Sequence, residues 1–164
     1  MKPGAALYEQ DFFAWTQSQA AALRNLAEQR WNGPLDLENL SEEVEDLGRA
    51  TRNACLSQIE RLIQHLLKLE FSPSEAPRRQ WQLRCHHTRR ELHRQLTPTI
   101  RRIVETELPD LARAAALELA DQDGEAVAAR LPETPGYTLD QLLDQKWCPL
   151  GDSIDGSEGR PARR

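Results

Sequence analysis

The feature that most constrains the fold is a long amphipathic stretch, residues 35–68, that contains no proline. Apolar residues recur along it at helical spacing, so one face stays apolar over roughly nine turns. We expect a single helix that begins at residue 36 or 37, capped by Asp36, and ends near residue 69. The expected apolar face contains Leu40, Val44, Leu47, Cys55, Ile59, Leu62, Leu66 and Leu69.

Several shorter segments also have helical periodicity or helical start signals. Asp11 is a plausible N-cap for the first of them, and Thr138 for the last. Pro109 must kink or restart any helix that contains it, because proline removes one backbone hydrogen bond. The predicted segments are about 11–29, 78–95, 97–121 and 125–130, with a short helix after residue 138.

Composition favours helices over strands, because Leu and Ala dominate and β-branched residues are few. A chain of 164 residues fits one domain. The sequence therefore predicts an all-α fold, a compact four- to five-helix bundle with a long central helix and a short C-terminal helical or loop segment. We expect residues 1–150 to form this single domain and residues 151–164 to form a flexible polar tail.

Charge and cysteine content narrow the range of partners and compartments. The net charge of −5 argues against a general nucleic-acid binder. No run reaches the roughly 18 apolar residues of a membrane helix, and the N-terminus lacks the apolar core of a secretory signal. The three cysteines are odd in number and have no Cys-x-x-Cys spacing, which predicts reduced thiols in the cytoplasm.

Five short motifs occur in a recognisable order along the chain. They are Tyr8 to Trp15, Asp36 to Gly48, His65 to Lys68, Trp81 with Arg89-Arg90, and Tyr137-Thr138. With these motifs the chain resembles the bacterial family known as domain of unknown function 29, over about residues 7–150. One departure is Gly136, which adds a residue between Pro135 and Tyr137. The resemblance implies an all-helical fold and brings no catalytic assignment.

His65 is the most conspicuous polar residue on the expected apolar face. Its simplest interpretation is a buried histidine whose ring nitrogens are hydrogen-bonded. If the long helix and the 78–95 helix form a hairpin, Cys85 and His86 lie near it, and zinc accepts both imidazole and thiolate. The spacing matches no zinc signature, and nearby arginines disfavour a cation. We therefore expect no cofactor, with zinc or another divalent metal at His65, Cys85 and His86 as the alternative.

Two oppositely charged blocks are candidates for an interaction surface. Glu42, Glu43 and Asp46 form an acidic run, which also interacts favourably with the helix dipole. Residues 78–102 hold eight arginines, including Arg89 and Arg90, against one acid. We interpret the blocks as complementary, within one chain or across a dimer. Other candidates for contacts are Trp15 and Trp81, which are most simply packing residues.

Motifs of the common catalytic classes are absent from the sequence. Our preferred hypothesis is a non-enzymatic helical interaction or structural protein, a homodimer that acts through charged helix faces, with the Pro-Tyr-Thr segment packed as a lid. Its partner is expected to be a second copy or an unidentified protein, not a membrane. One alternative is a metal-dependent protein or enzyme centred on His65. Another is a nucleic-acid binder that uses the arginine-rich helix and stacks Trp81 on a base.

Overall fold

The computed structural model describes residues 3–29, 32–75 and 77–149. The described residues form helices and no strand, which confirms the predicted all-α class. The expected tail, residues 151–164, lies outside this part of the chain. The seven helices of the described residues are α1 (Pro3–Gln10), α2 (Phe12–Glu28), α3 (Leu37–Phe71), α4 (Arg78–Gln95), α5 (Pro98–Asp123), α6 (Glu125–Ala128) and α7 (Leu139–Leu143).

The long helix α3 confirms the prediction from the amphipathic stretch. It has 35 residues, which corresponds to a length of about 50 Å. The backbone N–H of Asn39 donates to Asp36 Oδ1 over 3.2 Å, so Asp36 caps the helix as expected. The C-terminal half supplies buried aliphatic residues to the core, namely Ile59, Leu62, Ile63, Leu66, Leu67 and Leu69.

The predicted apolar face of α3 is wrong in its N-terminal half. Leu40 and Leu47 remain 39% and 56% exposed. The residues that turn inward there are Ser41 and Gly48, which lie about 100° further round the helix from those leucines. Small inward side chains let another helix approach closely, so hydrophobicity alone pointed to the wrong side.

The described residues form two compact units, and α3 and α5 contribute to both. The first unit contains residues 3–29, 32–56 and 95–104. Within it, Asp11 Oδ1 accepts from Ala14 N over 3.0 Å and Oδ2 accepts from Thr99 N over 2.8 Å. The predicted N-cap of α2 therefore also binds the start of α5. Although burial raises the pKa of Asp11, these hydrogen bonds lower it below its usual value.

The first unit also contains α1, which we did not predict. Tyr8 on α1 makes edge-to-face ring contacts with Phe12 and Trp15, with ring centroids 5.5 and 4.8 Å apart. Phe12 and Trp15 stack on each other at 5.8 Å. Trp15 is half-buried, as expected for a packing residue.

Of the described residues, the second unit contains 57–75, 77–94 and 105–149. The limits of α4 agree with the prediction, and α7 has Thr138 as its N-cap, with Gln141 completing a capping box. The sequence predicted a kink or a restart at Pro109, and α5 does not restart there but continues through the proline. Pro109 lies on the exposed side, and the buried residues Ala112 and Ala115 follow it. Packing of this face offsets the lost backbone hydrogen bond.

Candidate functional site

The strongest candidate site is a largely buried polar contact between α4 and residues 142–147, which form the end of α7 and the loop that follows it. Arg89 Nε donates to the carbonyl oxygen of Leu142 over 2.7 Å, and Arg89 Nη2 donates to that of Trp147 over 2.9 Å. One turn later, His93 Nε2 lies 3.0 Å from the carbonyl oxygen of Leu143 and donates to it. We call these five residues the carbonyl clamp. They hold residues 134–149, which we call the C-terminal segment, against α4.

The adjacent residues Arg89 and Arg90 have different environments. Arg89 is 0% exposed, whereas Arg90 points outward. Burial lowers the pKa of Arg89, and the nearby Cys85, Cys148 and Asp144 raise it. Its remaining terminal nitrogen, Nη1, is buried and has no hydrogen-bond acceptor among the described residues. Both carbonyl acceptors of Arg89 are neutral, so its charged form is favoured instead by nearby acidic groups, the carboxylate of Asp144 among them.

A second contact holds the Pro-Tyr-Thr segment against α3. The hydroxyl of Tyr137 donates to Glu70 Oε2 over 2.7 Å. The Tyr137 ring also meets the Trp147 ring edge to face, with centroids 5.5 Å apart. Burial, followed by the Glu70 hydrogen bond and charge, raises the pKa of Tyr137. The tyrosine therefore stays neutral and keeps donating well above physiological pH.

Two thiols lie beside the clamp. Cys85 is buried and precedes Arg89 by one turn of α4, while Cys148 follows Trp147 and is half-buried. Both are free thiols. Burial raises the pKa of Cys85 to about 12, with Arg89 lowering it and Cys148 raising it further. The site thus combines a guanidinium with two thiols in a water-poor environment.

His65 on α3 has a cationic environment and not a metal-ligand environment. Burial lowers its pKa to about 4, and the positive charges of Arg84, Lys68 and Arg61 act in the same direction. Its Nδ1 is buried and has no hydrogen-bond partner in the described chain. The expectation of a fully hydrogen-bonded histidine is therefore wrong, and the ring is neutral at physiological pH.

This depressed pKa predicts an acid-sensitive contribution to stability. Between pH 6.5 and about 4 the unfolded histidine binds a proton that the folded one does not, so stability falls as pH falls through this range. We expect the free energy of unfolding to decrease less between pH 7 and pH 5 in His65→Gln than in the wild type. Urea titrations at both pH values measure this difference. The exposed His87→Gln should keep the wild-type decrease, and an equal decrease in His65→Gln would contradict the assignment.

The other metal candidates do not assemble around His65. Cys85 is buried, and its neighbour His86 is half-buried and points about 100° away around α4. Over residues 3–29, 32–75 and 77–149, no group of three or more His, Cys, Asp or Glu side chains is arranged to hold a metal ion.

The charged candidates lie at the surface, apart from Arg89. Glu42, Glu43 and Asp46 are exposed on α3, and Asp46 pairs with Arg49. Neighbouring Glu45 pairs with Arg24 of α2. On α4, Arg90 is exposed, and Trp81 is half-buried.

An open groove lies along the C-terminal segment. Its volume is about 500 Å³. Glu105, Leu108 and Pro109 of α5 form one wall, and residues 134–140 form the other. The groove is mostly apolar, and the Glu105 and Asp140 side chains supply its acidic groups.

Comparison with known proteins agrees with this architecture. The model of the family described as "Domain of unknown function DUF29" matches residues 7–148. The chain belongs to this family. DUF29 carries no assigned activity, so the function of this chain has to be argued from its own surface and site.

A solved structure shows the same fold. This DUF29 chain is similar to an α-helical protein of unknown function from Rhodospirillum rubrum, whose crystal structure was determined at 1.45 Å. The two sequences are 25% identical, and the TM-score is 0.73 over 85% of this chain and 90% of that one. No curated protein matches the sequence. None of the helices within the described residues is long and apolar enough to cross a membrane.

Sequence reasoning missed the main contacts of the clamp. Arg89 was not predicted to be the inward residue of the arginine-rich stretch, and Cys148 was considered only in the count and spacing of the cysteines. One signal was present: Cys85, Arg89 and Leu92 recur at intervals of four and three, and all three are buried. A search for polar residues in phase with apolar ones on α4 would have singled out Arg89.

Proposed function

We propose that this protein is a non-enzymatic helical interaction protein that self-associates through oppositely charged helix faces. The acidic face of one copy, on α3, docks on the basic face of another copy, on α4. The acidic face comprises Leu40, Glu43, Asp46 and Leu47. The basic face comprises Arg79, Leu83, Arg90 and Arg94.

The exposure of large apolar residues beside charge is the observation that carries this proposal. Leu40 and Leu47 are 39% and 56% exposed and lie seven residues apart, so they are about 10 Å apart along one side of α3. Glu43 and Asp46 lie between them in sequence, about 40° and 100° round the helix from Leu47, and are also exposed. Apolar side chains with a charged border are typical of protein interfaces.

The outer side of α4 has the complementary composition. Leu83 is 54% exposed, and Arg79, Arg90 and Arg94 lie four residues before and seven and eleven residues after it. These spacings place all four side chains within about 60° of one another around the helix. Guanidinium groups bind carboxylates through two parallel hydrogen bonds, so each arginine can bind a carboxylate of the acidic face.

Charge complementarity favours a second copy over nucleic acid as the partner. The net charge of the chain is −5, so the rest of the molecule repels the phosphate groups that the arginine face would bind. The acidic face supplies a counterpart of opposite charge on the same sequence. We also place the protein in a reducing compartment such as the cytoplasm, supported by the odd number of cysteines.

Self-association should depend on concentration and salt. We expect sedimentation velocity at 50 mM and 500 mM NaCl to give a dimer that weakens at the higher salt, because exposed ion pairs are screened. Leu47→Glu should weaken the dimer at least about tenfold, because it puts a charge into the apolar centre. Leu117→Glu is the matched control, because Leu117 is 67% exposed and lies outside both faces.

Two results would overturn the proposal. A monomer at every concentration and salt, or a dimer insensitive to Leu47→Glu, would exclude these faces as the interface. Fluorescence anisotropy with labelled DNA and RNA tests the competing partner. Salt-dependent binding that is lost in Arg90→Glu would favour the nucleic-acid alternative instead.

A further inference from the structure

The two cysteines beside the carbonyl clamp are brought together by contacts that involve neither thiol directly. Cys85 and Arg89 share the buried side of α4, one turn apart. Arg89 Nη2 binds the carbonyl oxygen of Trp147 over 2.9 Å, and Cys148 is the next residue. Cys85 and Cys148 both raise the pKa of Arg89, so each thiol lies near the guanidinium.

The buried guanidinium is suited to stabilise a negative charge on sulfur. Its Nη1 is buried and lacks an acceptor within the described chain. Thiolate is the form of cysteine that reacts with oxidants, and a neighbouring arginine favours it. A sulfur that becomes negatively charged beside Arg89 would also compensate this buried positive charge.

We propose that Cys85 and Cys148 form a two-cysteine oxidation site, at which a hydroperoxide converts the thiol pair to a disulfide. Cys148 is half-buried and Cys85 is 1% exposed, so Cys148 meets the oxidant first and Cys85 resolves the product. The disulfide would tie the C-terminal segment covalently to α4, where the carbonyl clamp already holds it.

The reaction balances with a hydroperoxide as the only co-reactant. The Cys148 thiolate attacks one peroxide oxygen, the O–O bond breaks, and the leaving hydroxide takes the proton released by the thiol to give water. Cys148 is then a sulfenic acid. Cys85 loses its proton and attacks the Cys148 sulfur, the S–O bond breaks, and hydroxide leaves with that proton as water. Two thiols are oxidised by two electrons, and hydrogen peroxide is reduced to two waters.

Burial explains the division of roles between the two thiols. Burial raises the pKa of Cys85 to about 12, so this cysteine is a thiol at neutral pH and is not the primary target of peroxide. Once Cys148 is a sulfenic acid, its sulfur is electrophilic, and attack by the adjacent Cys85 needs only a transient loss of the proton.

The test uses the full-length, fully reduced chain and hydrogen peroxide. After treatment, the protein is denatured, alkylated and weighed by intact-mass spectrometry, and its peptides are mapped. We expect a monomer that carries one alkyl group in place of three and that, apart from the alkyl groups, is lighter by two hydrogens, about 2 Da. Its peptide map should contain a peptide that joins Cys85 to Cys148.

Variants that each lack one of the three cysteines separate the roles of Cys85 and Cys148. Cys85→Ser should stop at a Cys148 sulfenic acid that a cyclic dione traps, whereas Cys148→Ser should leave Cys85 alkylated after the same treatment. Cys55→Ser is the matched control, because Cys55 belongs to the first unit, where its Sγ lies 3.9 Å from Gln95 Oε1, and the clamp belongs to the second. It should form the Cys85–Cys148 link at the wild-type rate. Three free thiols, overoxidation of Cys148 without a link, or a link to Cys55 or between chains would overturn the proposal.

Discussion

Replacing Arg89 with alanine should destabilise the protein by about 3 kcal/mol. The substitution leaves the carbonyl oxygens of Leu142 and Trp147 without their donor in a buried environment, where an unmatched polar group is costly. It also leaves a cavity, because Arg89 is among the largest fully buried side chains. Urea unfolding followed by circular dichroism measures the loss.

The neighbouring arginine provides the control. Arg90→Ala removes the same side chain from an exposed position and should change stability by no more than about 0.5 kcal/mol. Arg89→Lys should lie between the two, because an ammonium keeps the charge but cannot reach both carbonyls as the planar guanidinium does. Equal stability of Arg89→Ala and Arg90→Ala would show that the clamp contributes little to the fold.

Gly48→Ala should also destabilise the protein, by about 2 kcal/mol, although alanine normally stabilises a helix relative to glycine. A Cβ at position 48 would lie 3.1 Å from Thr16 Cβ and would overlap Thr16 Oγ1. Thr16 cannot move away easily, because it is fully buried and its hydroxyl donates to the carbonyl oxygen of Phe13 over 2.8 Å. Thermal and urea unfolding of the variant measure the effect.

A double-mutant cycle identifies the cause of that loss. In a Thr16→Ala background, Gly48→Ala should cost at least about 1 kcal/mol less, because the overlapping hydroxyl is gone. Gly136→Ala is the control glycine, since no atom lies within 4 Å of the position of its added Cβ, and it should be close to neutral. The same cost with and without the Thr16 hydroxyl would place the strain elsewhere.

The helix limits followed from local signals, and the structure confirms most of them. Asp36 and Thr138 act as N-caps, and Pro98 opens α5, because caps and prolines constrain the backbone wherever the chain packs. Gly124 has a φ of +82° just after α5 ends, a conformation that favours glycine.

The orientation of the helices could not be read from the same local signals. Leu40 and Leu47 predicted an inward face, yet Gly48 turns inward because Thr16 of α2 packs against it. That contact joins residues 32 positions apart, and no local pattern encodes it. Hydrophobicity predicts the buried side of a helix only where the packing partner needs large side chains.

The candidate site was less predictable than the fold for a similar reason. The arginine-rich segment suggested a charged surface, and this is correct for Arg90 but not for Arg89. Only the return of the chain at Leu142 and Trp147, more than fifty residues later, gives Arg89 its acceptors. The proximity of Cys148 to Cys85 depends on the same long-range contact.

Charge-reversed variants test the interface most directly. Glu43→Lys with Asp46→Lys makes the acidic face basic, and Arg90→Glu with Arg94→Glu makes the basic face acidic. All four positions are exposed, so each double variant should fold normally, as circular dichroism can verify. Each variant then presents two faces of like charge to its own copies.

The decisive measurement is sedimentation velocity of the two double variants, alone and mixed, at 50 mM NaCl. We expect each variant alone to be monomeric, because like charges face each other at the contact. The equimolar mixture should form a dimer, because each reversed face meets a face of opposite charge on the other variant. A mixture that stays monomeric while the wild type dimerises, or single variants that dimerise as the wild type does, would contradict the proposed interface.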